Sequence, residues 1–506
     1  MQRAGARLPK ASLGLFALAV LAILVVTRLP LAPKYLYFFD SVNFALALEN
    51  FNPLLHQPQP PGYPMFVGLL RLLHFVIPKP EHVLLIAGIL TALAAVLLVR
   101  QLAVEMFFES SAGYLAATLL LFNPAFWFGG ITNQVRLSLA LCTCGVALLA
   151  WRAIAHPEES RWLYATFAAL GLAAGFRPAL GALLAPLVLW SWWKSSKSLR
   201  KLLLGGVLLV AAAMPWMTAT VMAVGGVDPW LGLIWNYSNE QFSGTSALFG
   251  AAAPSAAKMA VKALIWNGLG ALAWLWAAPF IPVRWREAQW QQRTAFLLVW
   301  CLPILLFSAF VHIGDPDQAL GSIPVLCIVG AGVLAAFLRR IGSTRVVIPA
   351  LAVAAVNTCL FFYPPPGPAV ASGYGAVAYM DKRTQRLIDS ISEVRDGGPV
   401  TILHYRGVVS WRQLSYYFPE DYLVYLPASP GDTSWTIRDR KRLAASPTAG
   451  VLPQTSRYVL VDPVADAAAL EKDGWTQHGT AYYRDFETDA ELLVGPHRLV
   501  RSAFSK

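Results

Sequence analysis

The chain has 506 residues, 57% hydrophobic and only 13% charged, about half the 25% or so of charged residues in a soluble globular protein. That composition excludes a disordered chain, a single soluble enzyme and a disulfide-built secreted scaffold. The net charge of +12 does not point to nucleic acid once it is located: residues 1–363 carry 24 Lys+Arg against 12 Asp+Glu, whereas residues 364–506 carry 16 of each.

Uncharged runs of roughly the ~20 residues needed to cross ~30 Å of hydrocarbon recur through the first part. They predict eleven spans, at 12–29, 83–102, 111–130, 135–151, 162–176, 179–193, 202–224, 260–282, 294–312, 319–338 and 346–363. The first follows Arg3, Arg7 and Lys10 and runs straight into Thr27-Arg28-Leu29-Pro30. Without a small-x-small cleavage site, it reads as a retained anchor. The first outer loop, 31–82, contains a short apolar segment at 64–77 that carries Arg71 and His74. Taken as a juxtamembrane helix, it leaves 16 Lys+Arg in the loops on the amino-terminal side and 8 on the other. Taken as a span, it turns the basic clusters outward, against the positive-inside bias. The amino terminus is therefore expected inside and residues 364–506 outside.

The composition changes after Tyr363-Pro364-Pro365-Pro366-Gly367-Pro368. Short β-rich runs (400–405, 422–426, 458–462, 480–486) separate helix-like stretches such as 381–394. The expected architecture is an α-helical polytopic membrane protein, with a transmembrane domain over 1–363 and a soluble extracytoplasmic α/β (α+β) domain over 364–506. All five cysteines fall in the expected spans, so no disulfide is expected in the outer domain, and Cys142 and Cys144 read as small packing residues. The basic run Arg438-Asp439-Arg440-Lys441-Arg442 reads as a solvated surface or a face toward anionic headgroups.

Polar groups on the outer side are few. Asp40 follows the first span in an aromatic setting (Tyr35, Tyr37, Phe38, Phe39). A partly desolvated carboxylate there suits a general base, while Asp-Ser before an apolar helical run equally suits an N-cap. Arg177, in Gly175-Phe176-Arg177-Pro178, joins two spans of about fifteen residues. At ~1.5 Å per residue their turn lies below the outer hydrocarbon boundary, where an arginine needs an anion or a wet cavity. Arg136 follows the same logic, with snorkelling as its alternative. His312, in His312-Ile313-Gly314-Asp315-Pro316-Asp317, suits phosphate binding, proton transfer or a helix end, and the two acids leave a divalent metal open. Lys258 and Lys262 suit phosphate, headgroups or plain interfacial anchoring.

Four segments together resemble the GT-C superfamily of polytopic glycosyltransferases, whose relatives include the protein O-mannosyltransferases and the aminoarabinose and galacturonic acid transferases. They are Phe39-Asp40-Ser41 after the first span, His56-Gln57-Pro58-Gln59-Pro60-Pro61-Gly62-Tyr63-Pro64, Asn123-Pro124-Ala125-Phe126-Trp127 and Gly175-Phe176-Arg177-Pro178. The resemblance covers roughly residues 10–340. It implies an inverting transfer of a sugar from a polyprenyl-phosphate donor to a lipid, glycan or protein acceptor, on the periplasmic face of a bacterial inner membrane. Asp40 is the implied base, and Glu49, His56, Gln57, Tyr63, Arg136, Arg177, Lys262 and His312 are the implied substrate-binding residues. No cofactor is required for such a displacement. A lipid-linked glycan flippase and a glycan polymerase or ligase are the alternatives; the first is disfavoured by polar groups that cluster at the outer boundary without a visible repeat.

Overall fold

The computed structural model describes residues 10–132, 135–281, 287–395, 398–405, 409–426, 436–439, 442–446, 455, 457–463, 466–485, 491–494 and 497–500. Its helices are α1 (Lys10–Arg28), α2 (Phe39–Glu49), α3 (Pro64–His74), α4 (Pro80–Phe107), α5 (Ser110–Leu121), α6 (Pro124–Ile131), α7 (Leu137–Ala155), α8 (Ser160–Phe176) and α9 (Ala179–Ser195). They continue with α10 (Leu199–Ala223), α11 (Val227–Ser243), α12 (Ala253–Gly268), α13 (Ala288–Phe310), α14 (Ile323–Arg340), α15 (Val347–Phe362), α16 (Tyr374–Val394), α17 (Trp411–Tyr417) and α18 (Ala467–Lys472). Among the described residues six helices are long and apolar enough to cross a membrane, or seven with α5 and α6 counted as one bent span. On α10 the large apolar residues Leu203, Val207, Val210 and Met214 are exposed, as a lipid-facing surface requires.

Nine of the eleven expected spans are single helices. The expected span at 111–130 is instead bent by 57° between α5 and α6. Pro124 disfavours helical backbone at Asn123, whose side chain then caps the amides of Ala125 and Phe126 at 3.0 and 3.2 Å. The expected span at 260–282 is also corrected: α12 stops at Gly268, and only a 3-10 turn, Leu275–Phe280, follows before the described chain ends at 281. Gly270 holds φ +73°, and a Cβ there would lie 2.5 Å from Pro124 Cδ, so a continuous helix gives way to a glycine turn.

By its contacts the chain divides into two compact units, both discontinuous in sequence. The first comprises 1–32, 47–54 and 60–376; the second comprises 33–46, 55–59 and 377–506. The helical unit has a core that includes Phe126, Leu170, Trp300 and Ile323. At the end of α1, Arg28, 1% exposed, lies 4.4 Å from the Trp127 ring centroid and donates to the Leu121 carbonyl at 2.6 Å.

The second unit is built on a seven-stranded sheet. Its strands are β1 (Thr401–Tyr405), β2 (Tyr422–Leu426), β3 (Thr436–Asp439), β4 (Arg442–Ser446), β5 (Arg457–Val461), β6 (Thr476–His478) and β7 (Ala481–Asp485), in the order β4-β3-β2-β1-β5-β7-β6. β1 pairs in parallel with β2 and β5, in register Leu403↔Val424 and Leu403↔Leu460; the other pairings are antiparallel. Alternation along β1 sends Leu403 and Tyr405 to one face with Trp475, and Ile402 to the other with Leu387, Ile391 and Leu414 from α16 and α17. A hairpin of β8 (Glu491–Val494) and β9 (His497–Val500) follows. The expected strands at 400–405, 422–426 and 458–462 match β1, β2 and β5 closely. Residue 486 of the run at 480–486, residues 440–441 of the basic cluster, and Arg3 and Arg7 ahead of the first expected span lie outside the described residues. The five cysteines are free.

Candidate active site

Within the helical unit, the turns after α8 and α13, the start of α7 and helix α12 bring four of the expected residues together. Arg177 caps the carboxyl end of α8 in extended conformation, φ −157° and ψ 110°, because Pro178 follows it. With His312, Gln318, Leu139, Leu183 and Phe307 it lines a small cleft. Arg177 also interacts electrostatically with Arg136, Tyr63, Tyr237 and Asp317. Among the described residues its guanidinium makes no hydrogen bond or ion pair.

Arg136, 6% exposed at the start of α7, reaches the Asp315 carboxylate at 3.6 Å. His312 follows α13; its Nδ1 lies 3.3 Å from Thr245 Oγ1 and its ring stands 5.7 Å from that of Phe242. Burial, then the charges of Arg177, Arg136 and Lys262, push the imidazole down to about 4. The residue is therefore neutral at pH 7 and offers a hydrogen bond rather than a charge. Lys262, on α12, has its Nζ 5.3 Å from the Trp266 ring centroid.

Sequence spacing left the roles of the two acids undivided, and the structure separates them. Asp317 sits in the 3-10 turn Pro316–Gly321, is 0% exposed, and has neither carboxylate oxygen hydrogen-bonded among the described residues. Gly129 of α6 leaves it room: a Cβ there would meet Asp317 Cβ at 3.1 Å. Burial pushes this carboxyl up to about 7, against the lowering effect of Arg136 and Arg177. The group takes or gives a proton near neutrality beside two guanidiniums. His312, Asp315 and Asp317 do not bring three ligand atoms within reach of one another. Among the described residues the one group that does is His156, Glu158 and Glu159, on a largely exposed turn.

In the second unit, Asp40 is the second residue of α2, half-buried, and not its cap: the helix begins at Phe39. The N-cap reading is thereby corrected. His56 takes φ +48°, and its ring meets that of Phe39 edge-on at 6.3 Å. Burial, then the charge of Arg412, pushes His56 down to about 4. Gln57 is 5% exposed, and the Gln57–Pro58 and Pro60–Pro61 bonds are cis. Glu49 and Tyr63 belong to the helical unit, Glu49 exposed at the end of α2 and Tyr63, with φ +48°, at the start of α3.

Residues 57–218 match the family of dolichyl-phosphate-mannose-protein mannosyltransferases. No curated protein sequence matches the chain significantly. The fold is similar to that of ArnT from Cupriavidus metallidurans in the apo state, at 14% identity and a TM-score of 0.60, covering 94% of this chain and 98% of that one. It is also similar to the same protein bound to undecaprenyl phosphate, at 13% identity and a TM-score of 0.57, covering 94% and 97%. At these identities the likeness is one of fold: a bundle of apolar helices with a small sheet-containing carboxy-terminal unit, similar to ArnT over nearly the whole length of both chains.

Proposed function

We propose that the protein transfers a sugar, with inversion, from a polyprenyl-phosphate-linked donor to a lipid, glycan or protein acceptor at the periplasmic face of a bacterial inner membrane. The observation that carries this reading is the set of cations around the cleft. Arg177 lines it with no hydrogen bond or ion pair among the described residues, and Arg136 and Lys262 stand close enough to act on His312. A guanidinium held at membrane depth without an acceptor is costly, and a phosphate head on an apolar tail removes that cost. The fold shared with a protein solved with undecaprenyl phosphate supports the same donor chemistry.

In the reaction, the acceptor hydroxyl attacks the anomeric carbon. The new C–O bond forms as the anomeric carbon–phosphate oxygen bond breaks, and the acceptor proton passes to the Asp40 carboxylate. The phosphate leaves as an anion, so the departure needs positive charge and hydrogen bonds rather than a general acid. Arg177, Arg136 and Lys262 supply the charge, neutral His312 a hydrogen bond, and Glu49, His56, Gln57 and Tyr63 bind the sugar. No step calls for a metal.

The test is sugar transfer from a polyprenyl-phosphate donor in proteoliposomes by the wild type and by Asp40→Asn. The variant is expected to bind donor and to transfer about 10²–10⁴-fold more slowly. Full activity in Asp40→Asn would overturn the assignment of the base, and movement of donor across the bilayer without transfer would replace the enzyme by a flippase.

A further inference from the structure

The second unit contains the Asp40 loop as well as the carboxy-terminal sheet, and one short helix accounts for that union. α17 begins with a capping box, Ser410 accepting from the Gln413 amide while the Gln413 side chain accepts from the Ser410 amide. This fixes four side chains against the loop. The guanidinium of Arg412, 0% exposed, donates from Nε to Asn43 Oδ1 at 3.0 Å and from Nη2 to the Leu55 carbonyl at 2.8 Å. Asn43 lies one helical turn after Asp40 in α2, and Leu55 immediately precedes His56. Gln413 Nε2 donates to the Leu36 carbonyl at 2.8 Å, and the Leu36 amide donates to Tyr417 Oη at 2.8 Å. Trp411 packs edge-on against Phe39 at 5.6 Å. The loop is thus held just before Asp40, one turn beyond it, and at the turn that carries His56.

We infer that Arg412 is a positioning residue that fixes the Asp40-bearing end of α2 relative to the His56 turn, making the carboxy-terminal domain part of the catalytic apparatus. The inference deepens the proposed transfer reaction and rests on Asp40 as its base. A planar guanidinium suits the task because its fork reaches an amide oxygen and a backbone carbonyl at once; lysine offers a single ammonium on a flexible stem and cannot hold both. Arg412 touches neither donor nor acceptor in this account. It sets where the base stands, and displacement of reacting groups by about 1 Å can cost about 10²-fold in rate.

The experiment compares wild type, Arg412→Lys and Arg412→Met, full-length in nanodiscs, by hydrogen exchange and by steady-state transfer. Exchange is read over residues 35–46 and 55–59, with strands β1 and β5 as the control for an intact fold. The expected result is exchange at least tenfold faster in the two loop segments of Arg412→Met with the strands unchanged. In the same variant kcat falls about tenfold or more, while the donor KM stays within twofold. Arg412→Lys falls between the two, and where Arg412→Met also loses strand protection it becomes the deciding variant. Loop exchange unchanged in the deciding variant would overturn the inference, as would faster exchange with kcat undiminished. Failure of the wild type itself to transfer sugar would instead overturn the proposed function, and the exchange measurement would still decide whether Arg412 holds the loop.

Discussion

Two arginines, one in each unit, one buried and one half-buried, show how the same side chain serves opposite ends. Arg412 is fully enclosed and its guanidinium is met by Asn43 Oδ1 and the Leu55 carbonyl; it is a finished piece of construction. Arg177 lines a cleft, has Arg136 as a like-charged neighbour, and forms no hydrogen bond or ion pair among the described residues. A satisfied buried charge fixes structure, whereas one left without acceptors stores affinity for an anion that arrives later.

The sharpest break of this contrast is Arg177→Met. Transfer is expected to fall on the order of 10²-fold or more, as when one preorganised charge is removed from a developing anion, with thermal stability unchanged or raised. A lowered melting temperature with intact transfer would make Arg177 structural. Asn43→Ala should behave the other way: it leaves part of the Arg412 guanidinium unpaired, at a cost of about 1–3 kcal/mol, read as a lower unfolding midpoint.

Asp317→Asn tests the neighbouring acid through pH. Its carboxyl ordinarily titrates near 3.8 and is raised to about 7 by burial, so it is neutral below that value and negative above it. Affinity for a polyprenyl-phosphate head should therefore rise as pH falls through about 7, when the competing negative charge disappears. The asparagine variant, neutral throughout, should lack that step; a step of equal size in the variant would assign it elsewhere. The smallest effect is expected from His312→Gln. Because His312 is neutral at pH 7, an amide that keeps a hydrogen-bonding group should reduce transfer only a few-fold. A loss as large as that of Arg177→Met would show that the imidazole carries charge in the reaction.

Much of the helical unit was legible because a membrane imposes its thickness on the chain. Long uncharged runs have few solutions other than helices, and nine of them are single helices. The two departures are local: Asn123-Pro124 bends one, and Gly270, pressed against Pro124, ends another. Hydropathy averages over both. Arg136, Arg177 and His312 could be singled out because few polar groups occupy the turns between apolar runs on their side of the chain, and Asp317 was visible but undistinguished until its burial was known. Arg412 left no local signal. Its partners lie 369 residues away at Asn43 and 357 at Leu55, and periodicity reports which face of an element is apolar, not which distant carbonyl an arginine will meet. The strands β3, β4 and β6, three to five residues long, were missed because so short a run carries too little alternation to read.

The bond between Arg412 and Asn43 also has an order in time. Ribosomes add about 5–20 residues per second, so α2 is made long before the helix that will grip it. During that interval the segment bearing Asp40 has no tether at that point, and a chain cut short anywhere before residue 411 never acquires one. Completion of synthesis, rather than insertion of the helices, is the event that finishes the loop.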